Sequence, residues 1–371
     1  MTSKQNRWFL LVGTLLGITL LAGQVGGQDA VSTLPRADQV RIELQTAGLV
    51  DVQDHLVATL ASLQQIDDFP IYTMTYFGPY VESAELVSET DAAEFVTTSG
   101  WGCSLFAALG DLEKPLFGRN FDWDRSPLLI TFLEPIEGYR SAISVDLAYL
   151  FSENDVRKLE SLSADKLLPL LDVPWLPFDG MNERGLVIGM AAIDNGCGYS
   201  TDPGKRGVNH VSLMRELIEA CATVDEAVAF FENVNPLSGR SGMCLHFLVA
   251  DRTPSAALIE YRNGTMYVYR STETEPWQLA TNFPLALVSG SSAGRCWRYD
   301  RMAQALSDRN GSLSPLEAMD LLQKVATQTT QWSIVYDLSD LTMDVCPGGD
   351  FSRLYRFSLE ERAALGQTAT N

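Results

Sequence analysis

Histidine is scarce in this chain, with three residues among 371. They form no H-E-x-x-H motif, and the six cysteines include no C-x-x-C pair, so the usual ligand spacings of a zinc site are absent. The chain also has no G-x-x-x-x-G-K-[ST] loop and no G-x-G-x-x-G turn after a predicted strand, the patterns that bind nucleotide phosphates. We therefore expect a protein that needs neither a metal nor another cofactor.

Basic residues are outnumbered: 27 lysines and arginines stand against 47 aspartates and glutamates, for a net charge of −20 at pH 7. Nucleic acids and anionic membrane surfaces both bind through a basic face, which so acidic a chain is poorly equipped to form. Neither is expected as a partner. Internal repeats and low-complexity tracts are absent as well, and the length suits one large or two modest globular domains.

Residues 1–30 have the pattern of an export signal. Lys4 and Arg7 precede an apolar run from Trp8 to Ala22, which is shorter than the about 20 residues of a membrane-spanning helix. No A-x-A cleavage site or lipobox cysteine follows, so an uncleaved anchor with its C-terminal side outside remains the alternative. Both interpretations predict an exported protein, in the periplasm, on the cell surface or outside the cell. Contact with a membrane is expected only through such an anchor.

Strand-like segments come in blocks that pairs of helices separate, which indicates an α+β fold with helices packed outside antiparallel sheets. The strands are recognised by alternation and β-forming residues, and the helices by apolar periodicity and capping signals. The predicted strands cover 71–77, 103–123, 128–133, 142–149, 187–192, 244–250, 256–262, 266–269, 278–282, 332–337 and 343–346, and the predicted helices cover 163–171, 211–222, 223–233, 296–307 and the segment that begins at the capping box Ser314-Pro-Leu-Glu317.

One predicted hairpin carries residues that can do chemistry. It runs from Cys103 through a polar turn at 111–114 to Trp123, and its second strand carries Arg119 and Asp122. We take Cys103 as a candidate nucleophile that the two charged residues face, with Arg119 lowering the pKa of its thiol. The alternative is a buried thiol beside an ion pair on a strand surface. Disulfide bonds among the six cysteines are left open in the same way.

A cysteine nucleophile needs a base, and two sources are available. His246 or His210 can supply an imidazole, although His246 lies in an apolar strand where a lone histidine is more often structural. Alternatively, a cut between Gly102 and Cys103, made by the thiol attacking the Gly102 carbonyl carbon, exposes an α-amine with an ordinary pKa of about 7.7–8.0. A serine hydrolase is excluded, because the G-x-S-x-G stretch at 290–294 follows the last histidine, whereas that fold needs its histidine last.

The stretch Gly102-Cys103, followed by Gly118-Arg-Asn-Phe-Asp-Trp123, resembles the cysteine N-terminal-nucleophile hydrolases. This family of linear amide C–N hydrolases includes bile salt hydrolases, penicillin V acylases and the branch of acid ceramidase and N-acylethanolamine amidase. It places an arginine 16 and an aspartate 19 positions after its cysteine, which is the spacing found here. The other matching motifs, in a resemblance that spans residues 103–357, are Thr281-Asn282, Arg295 in a loop that enters a helix, and the turn Met181-Asn-Glu-Arg-Gly-Leu186.

The resemblance implies a four-layer αββα sandwich of two antiparallel sheets. It divides the chain into a signal peptide or anchor (1–30), a pro-segment or small subunit (31–102) and a catalytic domain (103–371). The implied catalytic residues are Cys103 as nucleophile, Asp122 as the group that orients its α-amine, Arg119 as support for the thiolate or the substrate, Asn282 as an oxyanion-hole donor and Arg295 as an electrostatic support of Cys103. Weak candidates for substrate binding are Asn182, Glu183 and Asp194.

The expected function is an exported amidase. It would hydrolyse a linear, non-peptide C–N amide of a small-molecule N-acyl compound, through a thioester on a cysteine that self-cleavage has made N-terminal. N-acyl amino acids, acyl amides and β-lactam side chains all fit as substrates. The alternatives are an acyltransferase that uses the same site and a non-catalytic exported binding protein of the same fold. The sequence leaves homo-oligomerisation open.

Overall fold

A computed structural model describes residues 36–80, 102–124, 127–193, 198–237, 244–288 and 291–368. The leader predicted at 1–30 lies outside these residues, as does Asp194. None of the helices within the described ranges is both long enough and apolar enough to cross a membrane.

Eighteen strands and eight α-helices form within the described residues. The strands are β1 (Gln64–Asp67), β2 (Ile71–Phe77), β3 (Gly102–Ala108), β4 (Leu116–Asp122), β5 (Leu128–Glu134), β6 (Ser141–Asp146), β7 (Asp179–Asn182), β8 (Val187–Ile193), β9 (Arg206–Asn209), β10 (Val234–Leu237), β11 (Cys244–Asp251), β12 (Ser255–Arg262), β13 (Thr265–Arg270), β14 (Trp277–Ala280), β15 (Thr330–Asp337), β16 (Thr342–Pro347), β17 (Leu354–Ser358) and β18 (Ala363–Thr368). The helices are α1 (Arg36–Thr46), α2 (Asp54–Ala61), α3 (Glu153–Val156), α4 (Ala164–Leu167), α5 (His210–Ala220), α6 (Val224–Glu232), α7 (Trp297–Asp308) and α8 (Pro315–Lys324).

Two large sheets face each other and carry helices on their outer sides. One has nine strands in the order β1-β2-β5-β6-β7-β8-β11-β12-β13, and the other has seven in the order β14-β3-β4-β15-β16-β17-β18. Strand β3 packs against β8 and β11 of the larger sheet. Helices α5 and α6 cover that larger sheet, and α7 and α8 cover the smaller one. The predicted four-layer αββα sandwich is therefore confirmed, with β2–β5 as a parallel pair in otherwise antiparallel large sheets.

The alternation of side chains along β3 decides which way the candidate nucleophile points. Successive residues of a strand face opposite sides of the sheet. Leu105 and Ala107 belong to the core between the two sheets, whereas Phe106 and Ala108 pack in the second core, under α7 and α8. Cys103 shares the face of Leu105, so its thiol lies between the sheets, and this burial on both faces explains the nearly continuous apolar run of the sequence.

The residues before the predicted cut are built into the larger sheet. Strand β2 pairs with β5 along its whole length, from Ile71 opposite Leu128 onward. Helices α1 and α2 bury apolar side chains in the large hydrophobic cluster that includes this sheet. Asp67 accepts hydrogen bonds from the Tyr355 hydroxyl and, at 2.7 Å, from Arg353. The segment 36–80 is therefore held by the rest of the chain through backbone pairing, apolar contacts and ion pairs.

The structure differs from the sequence prediction in several places, of which three affect the sheets or the helix beside them. The predicted turn Met181–Leu186 begins within the strand β7, which pairs with β6 and β8. The segment predicted as a helix over 163–171 consists of the short helix α4 and a 3-10 helix that runs to Trp175. Strands β17 and β18 complete the smaller sheet beyond the last predicted strand. The two differences in strands depend on tertiary pairing partners that local sequence patterns do not reveal.

The cysteines divide into one bonded residue and four free ones among those whose state is defined. Cys244 is disulfide-bonded. Cys103, Cys221, Cys296 and Cys346 are free thiols. The thiol of Cys103 is therefore available as a nucleophile.

The capping box at the start of α8 gives a stability prediction. Ser314 Oγ accepts a hydrogen bond from the Glu317 N–H, and the Glu317 carboxylate accepts one from the Ser314 N–H at 2.9 Å. Ser314→Ala removes one of these bonds and should lower the free energy of unfolding by about 1 kcal/mol. Thermal or urea unfolding measures the change. Ser312→Ala, an exposed serine just before the helix, is the matched control and should unfold as the wild type does; equal losses in the two variants would contradict the capping role.

Candidate active site

The hairpin of β3 and β4 brings the candidate nucleophile and its charged neighbours together. Gly102 pairs with Asp122, and Leu105 with Arg119, in an antiparallel register. This register places Arg119 diagonally across from Cys103 on the same face of the sheet, within reach of a long side chain. Its Nη2 atom lies 3.7 Å from the Cys103 Sγ. The spacing of 16 residues thus becomes a contact because the two strands of the hairpin pair directly.

Arg119 is fully buried, and its guanidinium is anchored on the side away from the thiol. Nη1 donates to the Phe178 carbonyl at 2.8 Å and pairs with the Asp179 carboxylate, which also accepts a hydrogen bond from the Tyr336 hydroxyl. The positive charge beside the thiol is therefore balanced by a carboxylate. Sequence reasoning missed Asp179 and Tyr336, and the only signal was that Asp179 immediately precedes the Gly-Met-Asn-Glu turn motif.

The thiol of Cys103 is 6% exposed. Burial raises its pKa above the ordinary value, Arg119 and Arg298 act in the opposite direction, and Asp122 reinforces the rise. Arg119 by itself lowers the pKa of this thiol, as expected. The combined effect of all its neighbours and of burial nevertheless raises that pKa. The effect of desolvation on the pKa exceeds that of the two arginines, because nearby carboxylates already balance part of the charge of each arginine. In the uncut chain Cys103 is a neutral thiol that needs a base.

Asn282 holds the main-chain nitrogen of Cys103. The Cys103 N–H donates to Asn282 Oδ1 at 2.8 Å, and Arg298 Nη2 donates to the same oxygen at 2.7 Å. Asn282 Nδ2 donates to the Ala192 carbonyl at 2.8 Å. These partners determine the orientation of the Asn282 amide. If its oxygen and nitrogen were exchanged, the NH₂ group would face the N–H donors of Cys103 and Arg298. One Nδ2 hydrogen remains for a further acceptor, and the oxyanion role expected of Asn282 stays a prediction.

The arginine that contacts Cys103 is Arg298 rather than Arg295. Arg298 lies in the first turn of α7, and its Nη1 donates to the Cys103 carbonyl and, at 3.1 Å, to Ser104 Oγ. Arg295 lies in the turn before the helix, and its side chain is exposed. The contact predicted for Arg295 is thus made by Arg298, because Arg298 in the first turn of α7 reaches β3 whereas Arg295 lies before the helix. Both arginines occur in Gly294-Arg-Cys-Trp-Arg298. The sequence therefore identified the motif but not which of its two arginines contacts Cys103.

Asp122 has one oxygen with a hydrogen-bond donor and one without. Its Oδ1 accepts from the Thr330 hydroxyl at 2.6 Å. Its buried Oδ2 has no hydrogen-bond partner among the described residues, and Arg298 Nη1 lies 3.7 Å away. Oδ2 lies close to Gly102, since a β-carbon built there would be 3.0 Å from it. Burial raises the pKa of this carboxyl above its ordinary value, against the hydrogen bond from Thr330 and the charges of both arginines.

The weak substrate-binding candidates do not join this cluster. Asn182 is buried and holds its own turn, donating to the Ile218 and Cys221 carbonyls at 2.7 Å. Glu183 pairs with Arg140 at 2.7 Å near the surface. Asp194 lies outside the described residues. Within the described part of the chain, no three histidine, cysteine or acidic side chains are grouped as metal ligands would be.

Neither of the two candidate histidine bases is bonded to Cys103 in the described structure. Both ring nitrogens of His246 are engaged, with Glu260 at 2.8 Å and with the Thr281 carbonyl at 2.7 Å. Burial lowers the pKa of His210 to about 3, and its ring packs edge-on against Tyr199. A Cys–His pair therefore has no support from the geometry.

The fold and the site together define a class. Two facing sheets with helices outside, and a free cysteine that follows a glycine at the start of an inner strand, are the arrangement expected of an N-terminal-nucleophile hydrolase.

Comparison with known proteins identifies a similar family. The model of the linear amide C–N hydrolases, choloylglycine hydrolase family, matches residues 103–284, and the predicted resemblance to this family is confirmed for that region. The predicted class of enzyme, a hydrolase of linear amide C–N bonds, is thereby confirmed. A search of curated protein sequences finds no match.

Solved structures similar to this chain include three hydrolases. Penicillin V acylase from Agrobacterium tumefaciens is 16% identical, with a TM-score of 0.43 over 72% of this chain and 98% of its own. A variant of conjugated bile acid hydrolase from Clostridium perfringens is 14% identical, with a TM-score of 0.49 over 72% and 97%. The Caenorhabditis elegans ortholog of N-acylethanolamine-hydrolyzing acid amidase is 14% identical, with a TM-score of 0.43 over 64% and 93%.

The two arginines of the α7 region provide a matched pair of variants. Arg298→Leu removes the donors to the Cys103 carbonyl and to Asn282 Oδ1, and should slow amide hydrolysis by about 100-fold or more. Arg295→Leu changes an exposed side chain and should leave the rate near that of the wild type. Release of amine from an N-acyl substrate measures both. A larger loss in the Arg295 variant would contradict the placement of Arg298.

The raised pKa of Asp122 predicts a pH-dependent stability. Because the folded-state value lies above the unfolded one, the contribution of Asp122 is fully present below its unfolded pKa and is lost as the pH rises through the folded value. In a Cys103→Ala background, Asp122→Asn should therefore raise the melting temperature more at about pH 7.5 than at about pH 4. Calorimetry at both pH values tests this, with the single Cys103→Ala variant as control. A larger gain at the lower pH would contradict the assignment.

Proposed function

We propose that this protein is an exported cysteine amidase that cuts itself between Gly102 and Cys103 and then hydrolyses a linear amide of an N-acyl compound. The observation that most directly supports this proposal concerns the buried Oδ2 of Asp122. It lies beside Gly102 and has no hydrogen-bond donor among the described residues while the peptide bond is intact. A buried carboxylate oxygen without a donor is costly. The ammonium that a cut would create on Cys103 has three N–H groups, of which Asn282 takes one and Asp122 can take another.

Self-cleavage proceeds as an acyl shift from nitrogen to sulfur. The Cys103 Sγ attacks the carbonyl carbon of Gly102, the C–N bond breaks, and the thiol proton is transferred to the departing nitrogen. Water then hydrolyses the thioester, which frees the thiol and leaves a carboxylate on Gly102. Gly102 has no side chain to obstruct this attack, and a β-carbon there would press on Asp122, Arg298 and Asn282 at 3.0–3.4 Å.

Amide hydrolysis then uses the amine and the thiol of one residue. The α-amine of Cys103 takes the thiol proton, the thiolate attacks the substrate carbonyl, and the ammonium returns the proton to the leaving amine. Water, deprotonated by the same α-amine, hydrolyses the acyl thioester and restores the thiol. Asn282 and Asp122 orient the amine, and Arg119 stabilises charge on sulfur from 3.7 Å. The remaining Nδ2 hydrogen of Asn282 is the proposed donor to the oxyanion.

Aromatic side chains around the thiol favour an apolar acyl group. Phe121 pairs with Cys103 across the hairpin and contacts three aromatic rings. Its ring centroid lies 4.1 Å from that of Trp332, 5.4 Å from that of Phe178 and 6.3 Å from that of the partly exposed Trp123. Three of these rings are buried, so the partly exposed Trp123 supplies the apolar surface at the edge of the cluster. N-acyl amino acids, acyl amides and β-lactams with apolar side-chain acyl groups are therefore the substrates to try first.

The test combines a substrate panel with a nucleophile variant. Wild-type protein should release amine from at least one class of apolar N-acyl compound, and a rapid acid quench should trap the acyl group on the peptide that starts with Cys103. Cys103→Ala should remain uncut and inactive. Acyl transfer to added hydroxylamine or glycine at the expense of hydrolysis would identify an acyltransferase. If Cys103→Ala keeps the function of the wild type, the remaining hypothesis is a non-catalytic binding protein of the same fold.

The two pieces made by self-cleavage should remain together. Residues 36–80 supply a strand to the larger sheet and buried side chains to the large hydrophobic cluster around it. Size-exclusion chromatography of the cut protein should give one peak containing both fragments, and denaturing electrophoresis should separate them. Uncut Cys103→Ala protein is the control for the elution volume. A catalytic fragment that elutes alone and stays folded would show instead that the segment is released.

A further inference from the structure

A buried histidine and glutamate that the mechanism does not use lie behind the active site. His246 is on β11 and Glu260 on β12, at neighbouring cross-strand positions, since Phe247 pairs with Ile259. Both side chains are at most 1% exposed, and His246 Nδ1 lies 2.8 Å from a Glu260 carboxylate oxygen. An ionisable pair so deep in a core is costly unless its groups are fully bonded.

Four hydrogen bonds hold the pair in place. The Thr281 carbonyl can only accept, so His246 Nε2, at 2.7 Å, donates to it. The two Glu260 oxygens accept from the main-chain N–H groups of Leu285 at 3.0 Å and Ala286 at 2.9 Å. The fourth bond joins His246 Nδ1 to Glu260 at 2.8 Å, so both side chains are fully engaged.

Both members of the pair bond to the chain around Asn282. His246 binds the carbonyl of the preceding residue, Thr281, and Glu260 binds the N–H groups at 285 and 286. A third bond from the larger sheet, the one between Asn282 Nδ2 and the Ala192 carbonyl, joins the same segment. Residues 281–286 follow the last residue of β14, an edge strand of the smaller sheet, so these bonds tie that segment to the opposite sheet.

We propose that His246 and Glu260 are positioning residues that hold the segment 281–286 across the two sheets, so that Asn282 keeps the Cys103 nitrogen in place. This inference rests on the proposed function. Neither residue touches the reacting atoms. Their effect reaches Cys103 through the Thr281 carbonyl, the Asn282 side chain and the 2.8 Å bond to the Cys103 N–H. Displacement of Asn282 would misalign both the self-cleavage and the hydrolysis of substrate, since both use that nitrogen.

Variants of the full-length chain separate positioning from general stability. His246→Gln keeps a donor that can reach the Thr281 carbonyl, whereas His246→Phe removes it at similar volume. His210→Phe is the matched control, because it replaces another buried imidazole that has no bond to the site. Glu260→Gln keeps the size of the side chain but replaces one of its two acceptor oxygens by an NH₂ group, so that one of the bonds to the main-chain N–H groups of Leu285 and Ala286 is lost. For each variant, the first-order rate of self-cleavage, kcat and KM on one N-acyl substrate, and the melting temperature are measured.

We expect His246→Phe and Glu260→Gln to slow self-cleavage and to lower kcat by about 10- to 100-fold, with KM little changed. His246→Gln should recover most of the loss, and His210→Phe should match the wild type. If His246→Phe does not fold, the comparison of His246→Gln with Glu260→Gln carries the test. A folded His246→Phe or Glu260→Gln with wild-type rates, or rates that follow the melting temperature alone across all four variants, overturns the inference. A wild-type chain that stays uncut contradicts the proposed function itself, and the inference with it.

Discussion

The hydrogen bond from the Cys103 main-chain N–H to the Asn282 side chain is the interaction on which the rest of the site depends. It joins the start of an inner strand, β3, to the segment after an edge strand, β14, and it fixes the nitrogen that would become the α-amine. Asn282 can make this bond because Arg298 and the Ala192 carbonyl fix the orientation of its amide. The nitrogen is thus located before any cut, so the proposed enzyme would need no rearrangement to place its base.

The charges around Cys103 are paired unequally. Arg119 and Asp179 form a buried ion pair, and the Tyr336 hydroxyl adds a further donor to the carboxylate. Arg298 and Asp122 are 3.7 Å apart, and one Asp122 oxygen is without a donor in the described structure. Buried charges are tolerated when they are paired and hydrogen-bonded. Both oxygens of the Asp179 carboxylate accept a hydrogen bond, whereas only one oxygen of the Asp122 carboxylate does so in the described structure. An ammonium on Cys103 would donate to the second oxygen of Asp122. The proposed cleavage would therefore also remove an unfavourable feature of the buried site.

Sequence patterns were sufficient where the relevant contacts are local. The hairpin predicted from two apolar runs exists, and its register turns the spacings of Arg119 and Asp122 into contacts with Cys103 and Gly102. Patterns failed where the position depends on a distant partner. Arg295 and Arg298 differ by less than a helical turn, and only the docking of α7 on β3 decides which one reaches Cys103. The role of Asp179 could not be predicted from the sequence, because it consists of the ion pair with Arg119, which is sixty positions away in the chain.

The most direct test of an α-amine as the catalytic base is to ask whether the active enzyme carries a 1,2-aminothiol at Cys103. Active protein is denatured and treated with 2-cyanobenzothiazole, which condenses with N-terminal cysteine but not with internal cysteine, and the peptide that starts at Cys103 is quantified by mass spectrometry. We predict one label per active site, with none in uncut Cys103→Ala. An active enzyme in which the Gly102–Cys103 bond is intact and no peptide is labelled would contradict the mechanism.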